Sequence, residues 1–143
     1  MSDKSCQINP NCYLVNMKHA TNALTDLYDH YLEDAGITFS QYCILGNLER
    51  LGEGSVTELA SRCGLDRTTV VRVLKPLESQ GFISDSSKQG MRSRSLSLTE
   101  NGSLVVKKAR KKWNAAQKNI ENTLGEKDAK TLLNLMHKLE QSY

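Results

Sequence analysis

The chain has 143 residues, a mass of 16.0 kDa and a mean hydropathy of −0.49, which suits a single domain or a compact domain with an oligomerisation lobe. No apolar run approaches the ~20 residues that span a bilayer, so we expect no membrane partner. The start MSDKSCQINPNC lacks the basic region and apolar core of a secretory signal, so we expect a cytoplasmic protein.

The net charge of +3 is unevenly distributed along the chain. Residues 1–61 contain three Lys or Arg against eight Asp or Glu, whereas residues 62–98 contain seven against three and residues 99–143 contain nine against five. Basic charge concentrated in the middle and at the end of a chain is typical of a surface that binds phosphates.

The first predicted element is a long amphipathic helix from about Cys12 to Asp34, ended by Gly36. Its apolar residues recur at three- and four-residue steps, which is the helical period. Thr38 and Gln41 then form a capping box, and the helix that follows is apolar on most of its circumference until Gly52. We expect this second helix to be central in the fold.

Two shorter helices come next. Ser55 and Glu58 form a second capping box, and Gly64 supplies a left-handed residue at the end of that helix. Asp66 caps the following helix, in which Pro76 predicts a kink or an end. Its predicted buried stripe consists of Val70, Val73, Leu74 and Leu77.

The last part of the chain predicts a hairpin and two helices. A strand at Phe82–Ile83, a small polar loop at 86–90 and an alternating strand at 94–98 are typical of a β-hairpin. Thr99 caps a long helix, and a final helix spans about Glu126 to Gln141. The stripe of the long helix consists of Val105, Ala109, Trp113, Ala116, Ile120 and Leu124.

In this order the elements predict a mainly α fold with a small β-hairpin wing: a winged helix-turn-helix core plus a helical dimerisation lobe, α1-α2-α3-α4-β-β-α5-α6. We expect residues 1–35 to be a tail and dimerisation helix, residues 36–102 to be the DNA-binding domain, and residues 103–143 to be C-terminal dimerisation helices. The striped helices that flank the core need a partner surface, so a homodimer bound to double-stranded DNA is predicted.

Polar and basic side chains mark the predicted DNA-binding surface. Arginine binds guanine edges bidentately, and threonine both bonds a base edge and places a methyl against thymine. Helix N-termini and basic side chains bind phosphates, and narrow minor grooves attract arginine. Candidates for base or phosphate contact lie at the start of the third helix and in the fourth, which is the recognition helix: Ser55, Thr57, Arg67, Thr68, Thr69, Arg72 and Lys75. In the wing, Arg92 is a candidate for the minor groove, and Arg94 either contacts DNA or braces the hairpin.

A set of ordered motifs resembles the MarR family of transcriptional regulators over nearly the full chain. The motifs are Thr38–Leu45, Val56–Ala60, Leu65–Val70 with Arg72, Leu77–Glu78, Gly81–Ile83, Arg92–Arg94 and Leu98–Gly102. The resemblance implies a dimer joined through the first and last two helices, and operator binding that a small aromatic molecule or an oxidant relieves. One departure is the wing sequence 88–91, KQGM, which lacks the acidic residues usual before the arginines. We therefore expect no acidic brace for a wing arginine, and either a more mobile wing or a different contact of the wing with DNA.

The resemblance also implies two candidate sensing sites. Cys12 opens the first helix, where some relatives sense hydroperoxides, and Cys6 is a candidate resolving partner. Met17, Tyr28 and Tyr42 are candidates for lining an apolar effector cleft, although such a stripe is more often plain core. Cys43 and Cys63 are predicted to be core residues.

Other classes of function compete with DNA binding. No Cys-x-x-Cys pair and no ligand-like histidine spacing occurs, so we expect no metal and no cofactor. No nucleophile–base pair, paired carboxylate or phosphate loop indicates an enzyme. The alternatives are a winged helix that binds only protein, without operator binding, and a redox-sensing regulator that uses Cys12.

Overall fold

A computed structural model describes residues 10–90 and 92–143 of the chain. The helices are α1 (Tyr13–Leu32), α2 (Phe39–Leu51), α3 (Val56–Cys63), α4 (Arg67–Ser79), α5 (Glu100–Leu124) and α6 (Glu126–Ser142). A 3-10 turn (Glu33–Ala35) follows α1, and the strands are β1 (Ile83–Asp85) and β2 (Leu96–Leu98). The predicted fold class, mainly helical with a β-hairpin wing, is confirmed.

Polar caps set the starts of the helices as predicted. Thr38 and Ser55 each form a complete capping box, with Gln41 and Glu58 respectively. At the start of α5, the Thr99 hydroxyl accepts a hydrogen bond from the backbone N–H of Gly102. These caps satisfy N–H groups that have no partner within the helix, so they fix where each helix begins.

The core joins the end of α1 and the first half of α5 to the helix-turn-helix. Its fully buried side chains come from the end of α1, from α2 to α4, from β2 and from α5, and the largest are Leu32, Ile44, Leu45, Leu48, Leu59, Leu74, Leu77 and Leu96. Of the stripe predicted for α4, Val70, Leu74 and Leu77 are buried and Val73 is partly buried. In α5, Val106 is more deeply buried than the predicted Val105.

The hairpin has an additional partner that the sequence did not indicate. In the antiparallel pair Ile83 lies opposite Leu98, and Asp85 lies opposite Leu96. Gly54, just before α3, exchanges two backbone hydrogen bonds of 2.9 Å with Leu96. A bridge of one residue produces no repeating pattern in the sequence, so no sequence signal indicated that Gly54 pairs with the hairpin.

Gly102 is where the hairpin meets α5 most closely. A Cβ atom at this position would lie 2.1 Å from the carbonyl oxygen of Phe82. Thr99 donates a backbone hydrogen bond to the same oxygen, at 3.1 Å. A glycine is therefore needed for α5 to start directly against the base of the wing.

The helix α4 does not end at Pro76, because it continues to Ser79. The backbone N–H of Gln80 donates to the Pro76 carbonyl oxygen at 3.0 Å. Proline removes only its own N–H donor, and the buried residues Leu74 and Leu77 on either side hold the helix against the core. Of the two predicted alternatives, a kink or an end, the helix does not end at Pro76 and extends about one turn beyond it.

Much of the apolar surface of the two terminal helices is exposed in the single chain. In α6, all of which the structure describes, no residue is buried, and in α1, also fully described, Leu32 alone is buried. The exposed large apolar residues of these helices are Tyr13, Leu14, Met17, Leu24, Leu132, Leu133, Leu135, Met136 and Leu139. Among residues 10–90 and 92–143, no helix is both long enough and apolar enough to cross a membrane.

Candidate nucleic-acid interface

The N-terminus of α4 is held by a doubly bonded cap. Asp66 accepts a hydrogen bond from the Thr69 backbone N–H at 2.8 Å, and a second from the Thr69 hydroxyl at 2.7 Å. These bonds stabilise the carboxylate and hold the pKa of Asp66 below its usual value. The hydroxyl of Thr69, a predicted DNA contact, thus donates its proton within the protein.

A row of side chains three and four residues apart forms the exposed face of α4. Thr68, Arg72 and Lys75 are all exposed, as predicted for DNA-contacting residues. Val71, which was not predicted, belongs to the same face and is 41% exposed. Its spacing of three residues from Thr68 was visible in the sequence, but the prediction considered only polar and basic side chains. An exposed valine beside threonine and arginine suits contact with a thymine methyl group.

A side-chain hydrogen bond joins α3 to α4 on this surface. The Arg67 guanidinium donates to the Thr57 hydroxyl. The Ser55 hydroxyl accepts from the backbone N–H of Glu58 at 3.2 Å, so it is used in the cap of α3. The predicted phosphate contacts Ser55 and Thr57 therefore lie at the N-terminus of α3, with Arg67 linked to them.

The wing arginine Arg94 is held by two carboxylates. Its Nε donates to Asp85 Oδ2 at 2.8 Å, and its Nη2 bonds Glu78 at the end of α4. Hydrogen bonds from Ser87 and Arg94 hold the pKa of Asp85 well below its usual value, and Asp85 raises the pKa of Arg94. The expectation that no acid braces a wing arginine is wrong, because the bracing acids precede the loop instead of lying within it.

A further carboxylate, that of Glu53, anchors the base of the wing. Glu53, in the turn before α3, accepts hydrogen bonds from the hydroxyls of Ser86, at 2.7 Å, and Ser95. Both bonds lower the pKa of Glu53. Beyond this anchor Arg92 is exposed near the tip of the wing, while Met91 lies outside the described residues. In the wing, Arg92 is therefore exposed, whereas Arg94 is bonded to carboxylates of the protein.

The three residues predicted for an effector cleft are separated in the structure. Tyr28 packs on Phe39, with ring centroids 4.8 Å apart, and lines a cavity of about 600 Å³ between α1, α5 and α6. Tyr42 lines a different cavity, of about 360 Å³, together with Trp113. Met17 lies exposed on α1 and lines neither cavity. In the single chain Met17 faces solvent, so a cleft common to all three residues stays a prediction.

Burial affects both tyrosines. It raises the pKa of Tyr28 and the pKa of Tyr42, so both stay protonated as hydrogen-bond donors at neutral pH. The Tyr28 hydroxyl donates to the side-chain oxygen of Gln117 in α5. Each tyrosine therefore adds a hydroxyl group to the wall of its cavity, and the cavity of Tyr42 is also lined by Arg50 and Arg110.

Cys12 precedes the first turn of α1 and is half-buried. Its carbonyl oxygen accepts hydrogen bonds from the backbone and the side chain of Asn16, at 3.0 and 2.8 Å. The predicted resolving partner Cys6 lies outside the described residues. Within the protomer, the Tyr28 hydroxyl is hydrogen-bonded to Gln117 and the Tyr31 hydroxyl to Asn119, both in α5.

Comparisons with known proteins agree with this geometry. Residues 35–90 match the family model described as MarR family. An uncharacterised HTH-type transcriptional regulator of Bacillus cereus is 27% identical over 122 residues, which cover 85% of this chain and 82% of that protein.

Solved structures share the fold over almost the whole chain. The transcriptional regulator MosR of M. tuberculosis, in complex with DNA, is 25% identical with a TM-score of 0.76, and the match covers 92% of this chain and 98% of that one. NadR in complex with 4-hydroxyphenylacetate is 24% identical with a TM-score of 0.66, and covers 97% of this chain and 96% of that one. The structural similarity therefore extends beyond the winged helix-turn-helix to the helices that flank it.

Proposed function

This chain belongs to the MarR family of transcription regulators, and on that premise we propose that it is a homodimeric repressor that binds a pseudo-palindromic operator. It is a DNA-binding regulator and not an enzyme. The observation that carries the proposal is the exposed face of α4, where Thr68, Val71, Arg72 and Lys75 follow a firmly capped N-terminus.

Each part of the surface has a separate role in the proposal. The α4 face enters the major groove, where Arg72 and Thr68 read base edges and Val71 meets a thymine methyl. Ser55, Thr57, Arg67 and Lys75 contact phosphates, which set the position of the protein on the duplex. Arg92 reaches the minor groove beside it, while Arg94 holds the wing in place.

The homodimer is supported by the exposed apolar surface of α1 and α6. The exposed fractions of Leu133 and Leu135 in α6 are 54% and 52%. Apolar stripes of this length seldom remain in contact with water. A twofold axis between two such lobes places the two α4 helices in successive major grooves, which is why the operator is proposed to be pseudo-palindromic.

Release by a small aromatic ligand is supported by the cavity that Tyr42 and Trp113 line with Arg50 and Arg110. The rings favour an aromatic body and the guanidinium groups favour an anionic end. 4-Hydroxyphenylacetate, found with NadR, has this combination. An aromatic carboxylate is therefore the effector class that we propose. Release by oxidation of Cys12 is the alternative.

Selection from a random duplex pool tests the function. The full-length protein is incubated with the pool at about 0.15 M salt, and the bound duplexes are sequenced. We expect enrichment of a pseudo-palindrome whose half-site centres lie about 10 base pairs apart or a multiple of that. A winged helix that binds only protein would enrich no sequence, and that result would reject the proposal. The product also provides the operator for every binding measurement below.

A further inference from the structure

Helix α5 contains positive charge that the proposed operator contacts do not use. Its residues 101–120 include six basic side chains and no acidic one. The residues proposed to contact DNA all belong to α3, α4, the wing or the turn before α3. The charge of α5 is therefore additional to the charge of that surface. The six basic residues are Lys107, Lys108, Arg110, Lys111, Lys112 and Lys118.

Acids of the same protomer approach three of the six. The Arg110 guanidinium bonds Glu49 of α2. Lys112 Nζ donates to Asp34 Oδ2 in the 3-10 turn at 2.9 Å. This hydrogen bond lowers the pKa of Asp34, and the nearby charge of Lys108 lowers it further. Because Arg110 and Lys112 lie about 160° apart around the helix, these acids reach α5 from two different sides.

The other three basic residues, Lys107, Lys111 and Lys118, form a lysine stripe. Steps of four and seven residues place them within about 40° of one another around the helix. All three are exposed, and within residues 10–90 and 92–143 none of their side chains pairs with a carboxylate. The stripe lies opposite the buried face of α5, so the protomer does not neutralise it.

The lysine stripe lies apart from the surface proposed to contact the operator. Helix α5 begins against the base of the wing, at Gly102, whereas Arg92 is near the tip. The helix then packs on α1 and α2. At 1.5 Å per residue, the stripe runs from about 8 Å to about 24 Å beyond Gly102. A duplex that contacts α4 and the wing tip therefore leaves at least its far end, at Lys118, uncovered.

Lysine side chains in such a row suit phosphates rather than base edges. An ammonium group is a point charge, without the planar fork with which arginine reads guanine. The stripe is about 17 Å long, which matches about five base pairs of a duplex that carries one negative charge per about 1.7 Å of its axis. A row of three cations is therefore complementary to a phosphate backbone and indifferent to base sequence.

A second copy of the chain is a poorer partner for the stripe. Among the acids at the end of α1 and in the turn that follows it, Asp29 accepts a hydrogen bond of 2.7 Å from the Phe39 backbone N–H. Asp34 is bonded to Lys112. These carboxylates already have partners within the protomer, so DNA is the partner that the charge pattern favours.

We propose that the lysine stripe is a second DNA-binding surface, which contacts phosphates without reading sequence and holds a further duplex segment beside the operator. Three phosphate contacts alone give weak binding at physiological salt. Once α4 and the wing hold the operator, however, neighbouring DNA of the same molecule is present at a high effective concentration. Bridging of two segments rests on the proposed function, whereas contact of the stripe with phosphates does not.

Capture of a second duplex tests the bridge. The full-length protein is bound to an immobilised duplex that carries the selected operator, and a labelled duplex without the operator sequence is added at about 0.05 M salt. We expect wild type to retain the labelled duplex and to release it by about 0.2 M salt, because the contacts are with phosphates. Lys107→Gln/Lys111→Gln should retain at least about tenfold less at equal occupancy of the operator.

Lys127→Gln/Lys138→Gln, in α6, is the matched control, because it removes the same charge from exposed positions outside the stripe. It should retain the labelled duplex as wild type does. No capture by operator-bound wild type, or equal capture by the stripe variant, would overturn the proposal. So would a stripe variant that is monomeric in sedimentation velocity while the control is dimeric, because the stripe would then belong to an interface between copies.

A second measurement does not depend on the operator. In Arg72→Ala/Arg92→Ala, the remaining affinity for a duplex without the operator sequence is measured between about 0.05 and 0.2 M salt. Adding the two stripe substitutions should reduce the slope of log affinity against log salt by about two, and adding the two control substitutions should leave it unchanged. An unchanged slope in the stripe variant would overturn its contact with phosphates. If wild type binds no selected duplex but this slope falls, the proposed function fails while the stripe is supported.

Discussion

At the residue scale, the side chains predicted to contact DNA fall into two sets. Some form hydrogen bonds within the protein and stabilise the surface, and the others face solvent. The Thr69 hydroxyl bonds Asp66, and the Ser55 hydroxyl caps α3. Arg94 bonds two carboxylates, whereas Arg72 and Arg92 are exposed. Sequence composition lists all of these as polar groups suited to DNA, so it does not distinguish the two sets. Thr69 and Ser55 are bonded to residues three positions away, whereas for Arg94 the distinction depends on Glu78, which is distant in sequence.

The first prediction concerns Arg72 and Arg92. Substitution of either by alanine is expected to weaken operator binding about tenfold and to reduce the slope of log affinity against log salt by about one, since each arginine neutralises a phosphate or binds a base. Lys127→Ala, on the first turn of α6, removes the same charge and should change neither quantity. Arg94→Ala should reduce the salt slope less, because its charge is already paired. Unchanged affinity and slope in both Arg72→Ala and Arg92→Ala would contradict the assignment.

At the scale of elements, the wing is stabilised by side chains from outside the hairpin. Glu78 from the end of α4 and Glu53 from the turn before α3 both bond wing residues. Gly54 adds a backbone bridge to Leu96. The wing is therefore fixed to the same framework that positions α4. An expectation based on the loop sequence 88–91 alone missed these bonds, because they connect segments far apart in the chain.

The second prediction is a pH dependence of the wing brace. Because the folded-state pKa of Asp85 is below its unfolded value of about 3.9, its contribution to stability is present above pH 4 and is lost as pH falls through the folded pKa. The melting temperature of Asp85→Asn should therefore lie below that of the wild type at pH 7, and the difference should shrink below pH 4. Thermal unfolding from pH 7 to pH 2 measures it.

The double variant supplies the control for the wing brace. Arg94→Gln should lower the melting temperature as Asp85→Asn does, and Asp85→Asn/Arg94→Gln should lose less than the sum of the two single changes, because both remove the same interaction. Strict additivity, or a difference from wild type that does not shrink between pH 4 and pH 2, would show that Asp85 does not stabilise the wing through Arg94.

At the scale of the whole molecule, the flanking helices have more apolar surface than one chain buries. Residues of α6 pack on α5 and line the cavity beside Tyr28, yet Leu135 and Leu139 remain 52% and 42% exposed. These two residues lie four apart, on the same side of the helix. They are therefore the most direct position at which to test the proposed dimer.

The third prediction is that Leu135→Glu/Leu139→Glu converts the dimer into a monomer. Burial of a leucine contributes about 1.5–3 kcal/mol, so two charged replacements should raise the dimer dissociation constant by at least about a hundredfold. Sedimentation velocity measures the state, and operator affinity should fall with it. Asn134→Glu, on the opposite side of α6, is the matched control and should remain dimeric. A wild-type monomer, or a double variant that stays dimeric, would contradict the prediction.

The sequence by itself determined the local structure. Caps at Thr38, Ser55, Asp66 and Thr99 and the apolar stripes mark the helices, because both signals act within a few residues. Their order was enough to predict the winged helix-turn-helix and the resemblance to the MarR family. The exposed positions of Thr68, Arg72 and Lys75 on α4 also followed from helical spacing.

Only the tertiary structure decided which side chains meet across elements. Arg94 with Glu78, Glu53 with the wing serines, and Gly54 with Leu96 all join segments that no local pattern connects. The physical cause is common to all three: packing of the core sets the relative positions of helices and strands, and hydrogen bonds form only between groups that this packing brings within reach.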